Sequence, residues 1–95
     1  MALNSTVTVP ARTWTQLTNA DATNVTVQVI NANAPVSLQA AIGAVAPTTE
    51  SGSLRLPKGD YIVNTALQSI FPGAGLVTRL YAYSEQGAEV LISHA

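Results

Sequence analysis

Cysteine is absent from this 95-residue chain, which excludes disulfides, thiolate metal sites and cysteine nucleophiles together. Charge is almost as scarce. Acidic and basic residues make up 9% of the chain, where an ordinary globular domain carries roughly a quarter. The four cations Arg12, Arg55, Lys58 and Arg79 are scattered, and net charge is −1, so no basic stripe exists to neutralise phosphates and nucleic acid is not an expected partner. No window approaches the roughly 18 uninterrupted apolar residues of a membrane-spanning helix, and the opening MALNSTVTVP has neither the basic head nor the apolar run of a secretory signal. No membrane partner is expected. Histidine occurs once, as His94, and the carboxylates Asp21, Glu50, Asp60, Glu85 and Glu89 fall in turns or at strand ends. One imidazole and dispersed acids supply neither a metal-ligand spacing nor an oriented acid–base pair, so no cofactor, metal site or catalytic residue is expected and the chain does not read as an enzyme.

What the chain does contain is apolar residues, at 47%, together with Thr, Ser, Asn, Gln and Ala in the places where charge is missing. Its length allows one domain, residues 1–95, and leaves no room for a second core. Lys and Glu normally cover a monomer's surface because they resist burial and limit association. Their scarcity points to a surface covered by copies of the chain or by another protein, where unpaired charges would be costly to desolvate.

The patterning is that of strands. Thr and Val alternate from Thr6 to Val9 before Pro10, which suggests an edge strand, with an N-terminal arm over residues 1–9 as the alternative. Thr13 to Leu17 follows. Val25, Val27 and Val29 then alternate with Thr26, Gln28 and Ile30, the period of a half-buried strand. Turn residues Asn31 to Pro35 lead into Val36 to Ile42 as an antiparallel partner, and Gly43 to Ser53 reads as a long ordered loop. Pro57 to Asp60 suits a tight turn between Leu54–Leu56 and Tyr61–Asn64, a further hairpin. Asn64 or Thr65 is positioned to cap a helical turn near residues 65–71, with Leu67, Ile70 and Phe71 on its apolar face.

The last segment predicts a third hairpin, Leu76 to Tyr83 and Ala88 to His94 around Ser84 to Gly87. In that register Tyr83 faces Ala88, Tyr81 faces Val90, Arg79 faces Ile92 and Val77 faces His94, while Leu80 and Leu91 share the inward side. Around seven short strands with regular turn signals and a single helical turn describe an all-β domain, a small antiparallel β-sandwich or jelly-roll-like fold. The large polar-aromatic side of the hairpin, with Arg79, Tyr81 and Tyr83, is the expected subunit interface, joined by Trp14 and the penultimate His94, since aromatics beside arginine favour interface centres. A sugar-stacking role for the same aromatics is the competing reading, although few polar groups converge around them.

Four segments carry a family resemblance. They are Gly43 to Thr49 (GAVAPTT), Phe71 to Gly73 (FPG), Arg79 to Ser84 (RLYAYS) and Val90 to Ala95 (VLISHA), and in this order they resemble small virion-associated proteins of tailed bacteriophages. The resemblance spans residues 14 to 95 and implies a non-enzymatic virion structural protein. In the form it favours, this is a capsid decoration or cement protein, a homo-oligomer with the trimer preferred, bound across neighbouring major capsid subunits on the outer shell after synthesis in the host cytoplasm. A small tail, fibre or connector component, including a receptor- or carbohydrate-binding module, is the alternative it leaves open. It brings no catalytic residue with it.

Overall fold

Valines at alternate positions fix the centre of the molecule. In a computed structural model, which describes residues 2–95, Val25, Val27 and Val29 are all buried on one side of strand β3 (Asn24–Ala32), as the period-2 pattern predicts. Their branched side chains suit a pleated, half-buried surface. Seven further strands complete two antiparallel sheets: β1 (Leu3–Val9), β2 (Thr15–Gln16), β4 (Val36–Ala41), β5 (Leu54–Leu56), β6 (Tyr61–Ala66), β7 (Arg79–Tyr83) and β8 (Ala88–His94). The first sheet has the order β1-β8-β3-β6 and the second β2-β7-β4-β5. Eight strands wired in this way form a jelly roll, and the all-β sandwich expected from the sequence is what the chain adopts.

That wiring overturns all three expected hairpins. Strand β7 pairs with β2 and β4, whereas β8 pairs with β1 and β3, so the two segments flanking Ser84 to Gly87 lie in opposite sheets. Strands β3 and β4 are likewise split between sheets, as are β5 and β6. The turns themselves form as their composition predicts. The Asp60 amide donates to the Pro57 carbonyl at 3.1 Å with Gly59 at φ +88°, a tight turn, but the chain leaving it enters the other sheet. A four- or five-residue turn joins two layers as readily as two neighbours, and residue types at the corner do not distinguish the two outcomes. The one pair adjacent both in sequence and in a sheet, β4 with β5, is joined by the segment from Ile42 to Ser53, which has no regular structure and matches the long loop expected there.

Correcting the pairing corrects the faces. A hairpin would place Leu91 on the same side as Leu80. In the sandwich each strand turns its own apolar set inward, Leu80 and Ala82 from β7 and Ala88, Val90 and Ile92 from β8, while Leu91 points outward and is only partly covered. Valine, leucine and alanine dominate the core, with Phe71 as its one aromatic member. Each fully buried Val, Leu or Ile contributes about 1.5–3 kcal/mol, which is how a fold without disulfides is held.

The helical turn α1 (Leu67–Ile70) and a 3-10 turn at Pro72–Ala74 carry the chain from β6 to β7, with Leu67 and Phe71 buried and Ile70 packed against the core. The expected side-chain cap does not form. Ala66 is the N-cap residue, because β6 continues through Asn64 and Thr65, and the Leu67 amide instead donates to the Thr23 carbonyl at 2.9 Å. At the far end of the chain, residues 3–9 form the edge strand β1 along β8 and not a free arm. Among the described residues no helix is long and apolar enough to cross a membrane.

Candidate interaction surfaces

Two broad outer faces remain once the core is subtracted, and they differ in kind. On the second sheet Arg79, Tyr81 and Tyr83 alternate outward from β7 beside Gln16 of β2, Ser37 and Gln39 of β4 and Arg55 of β5. The expected interface residues Trp14, Arg79, Tyr81 and Tyr83 do come together here, with the Trp14 and Tyr83 rings 5.2 Å apart and tilted by 38°. The chain then covers much of this face itself. Glu50 accepts a hydrogen bond from the Ser37 hydroxyl at 2.8 Å and pairs with Arg55 at 3.4 Å. Gln39 donates to the Ser51 carbonyl at 2.6 Å, so the loop before β5 is fastened across β4. Tyr81 is only 3% exposed, and its hydroxyl donates to Gln16 Oε1 at 3.0 Å.

The neighbouring groups are similarly engaged. Arg79 Nε lies 2.9 Å from Asp21 Oδ1, and this hydrogen bond holds the Asp21 carboxyl below its ordinary pKa. Burial of the Tyr83 hydroxyl, reinforced by the negative charges of Glu85 and Glu50, pushes its pKa up. The fifth expected interface residue, His94, is elsewhere. It closes the inward-facing row of β8, is 6% exposed, and has Nδ1 3.2 Å from the Ala95 carbonyl oxygen, while its buried Nε2 has no hydrogen-bond partner.

On the first sheet the strand register places Thr6, Leu91, Gln28 and Tyr61 in one outward row across all four strands, with Asn4, Ser93 and Thr26 in the next. Tyr61 and Val63 are 62% and 61% exposed. Among the described residues Glu89 is the one ionised side chain on this face. The remaining acids and bases lie in connections, as with Arg12, Asp21, Glu50, Lys58, Asp60 and Glu85, or on the second sheet, as with Arg55 and Arg79. A second apolar area sits at one end of the sandwich, where Ile42 and Val45 are well exposed, as is Leu76 on the neighbouring β6–β7 connection, and a shallow groove runs between Ile42, Val45, Pro47 and Ala74.

Sequence reasoning missed the first sheet's face because its residues come from four separated strands. Only the register of β1, β8, β3 and β6 unites them. The signal available was negative: no Lys or Arg falls within those four strands. A shallow recess of about 680 Å³ collects polar side chains at the ends of β3, β6 and β8, among them Asn24, Asn64, Thr26 and Ser93. His94 lines it but no Trp, Tyr or Phe does, and among the described residues no three of His, Asp or Glu cluster. No family model matches this chain, and comparison with curated proteins and with solved structures returns no match.

Proposed function

We propose that this chain is a non-enzymatic structural subunit of a bacteriophage virion, a capsid decoration protein that binds across neighbouring major capsid subunits and associates with copies of itself. The observation that carries the reading is the outer face of the first sheet, with a single ionised side chain and two largely exposed apolar ones, Tyr61 and Val63. Covering such a face removes only one charge from water while burying the exposed Tyr61 and Val63. The exposed Ile42 and Val45 end is a second point of attachment to the coat. The resemblance of the motif order to small virion-associated phage proteins suggests the biological setting, and a jelly roll is a fold found in viral shells. Fold alone assigns no function, so the surface carries the argument.

The test is a count of copies on purified particles carrying the natural chain, Tyr61→Lys or Val63→Lys. Both substitutions lie on solvent-facing positions of β6 and leave the core untouched. Hundreds of natural copies per particle, with both variants strongly depleted, are expected. A handful of copies would move the protein from the shell to the tail, and none would remove it from the virion.

A further inference from the structure

A jelly roll leaves four sheet edges, and three of them here are defended. Strands β2 and β5 are two and three residues long, too short to template another strand. Strand β6 is interrupted by a register shift against β3, with Asn64 at φ +43° and its amide turned to the Thr26 hydroxyl at 2.9 Å. Strand β1 has none of these devices. Its seven residues, Leu3–Val9, pair without interruption along β8 on one side only, and they include no charge, no proline and no glycine. Among the described residues, alternate backbone amides and carbonyls along its other side have no partner.

The cover beneath this strand is also thin. Its counterpart at the corresponding edge of the second sheet is the two-residue β2, and the inward-facing Leu3 and Val7 are only partly buried against the core. We infer that β1 pairs antiparallel with β1 of a second copy across a twofold axis, joining the two first sheets into one continuous eight-stranded sheet. An antiparallel edge is self-complementary under such an axis, because the same alternation of donors and acceptors meets itself. The absence of charge means that no like pair is brought opposite, and the Leu3 and Val7 side chains of the two copies cover one another where each copy lacks a facing strand. The defended edges of β2, β5 and β6 disfavour continuing the sheet head-to-tail through a second edge.

The inference does not depend on membership of a virion, and its failure is separable from failure of that reading. Sedimentation equilibrium of the purified full chain across micromolar to millimolar concentration reads it directly. The natural chain is expected at twice its 9.8 kDa mass. Thr6→Lys, at the exposed middle of β1, sets two ammonium groups against each other across the axis and should weaken the dimer by at least about tenfold in Kd, with Asn4→Lys as the alternative if that variant folds poorly. Thr6→Val should leave the dimer intact, and so should Tyr61→Lys, on the same face but at the far edge. Hydrogen exchange adds a readout at the strand itself, as β1 amides should gain protection with concentration. A monomer at every concentration, a trimer, or a dimer that Thr6→Lys leaves unchanged would overturn the proposal, as would loss of the dimer in Tyr61→Lys alone.

Discussion

Single residues on the second sheet behave as parts of a closed surface. Tyr81 reads from the sequence as a large amphipathic side chain free to meet a partner, yet its ring is buried and its hydroxyl is bonded to Gln16, so Tyr81→Ala would report on folding before it reported on binding. Arg79 is held similarly by Asp21. Because the Asp21 pKa is depressed in the folded chain, the unfolded chain takes up the proton first. The contribution of this pair is therefore present above the ordinary carboxyl pKa and is lost as pH falls through the lower folded value. The expected outcome is a thermal midpoint that drops more steeply on acidification below about pH 4 in the natural chain than in Asp21→Asn, with a modest difference because the pair is partly solvated. Parallel pH profiles for the two would contradict the assignment. None of this was legible in the sequence, where Asp21 and Arg79 stand far apart and nothing in either segment points to the other.

Strands were largely legible, and their partners were not. The spans Ala88–His94 and Leu54–Leu56 match their expected bounds, and the alternation of Val25, Val27 and Val29 identifies the buried side of β3, because each depends only on local periodicity. Pairing depends instead on what the chain does after a turn. The corner from Ser84 to Gly87 illustrates this. Its Ser84 hydroxyl donates to the Gly87 carbonyl, as in many compact turns, but the corner also packs on the β1–β2 connection, where the Arg12 amide donates to the Ser84 carbonyl at 2.7 Å. Gly87 has φ +82°, and a Cβ there would sit 3.3 Å from the Val9 carbonyl oxygen. Gly87→Ala is therefore expected to cost about 1–2 kcal/mol, both from the left-handed backbone and from the close approach of β1. Chemical denaturation measures it, and a loss much smaller than this would mean that the two corners are not in contact in solution.

At the scale of the whole molecule the sparse charge has an electrostatic corollary. The contacts proposed for the first sheet's face and for β1 would contain almost no ion pairs, so screening would have little to act on. Raising salt from dilute buffer to molar concentration should leave attachment to particles essentially unchanged, whereas release in a high-salt wash would point to a charge-based contact that the surface described above does not offer. The topology also bears on the rate of folding. Nearly every strand partner is distant in sequence, β1 with β8 being the extreme, so loop-closure entropy precedes most of the stabilising contacts and folding belongs to the slow, non-local class.

That same extreme pairing has a practical corollary. Leu3 stands opposite His94, with Cα atoms about 5 Å apart in the manner of antiparallel neighbours, so the first and last strand residues lie side by side at one end of the first sheet. A short bridge of a few flexible residues is enough to splice them, and the chain can be reopened between Thr48 and Thr49, exposed and outside any strand. Cargo fused to either tail would then be displayed from the same corner of the domain, whichever end was chosen.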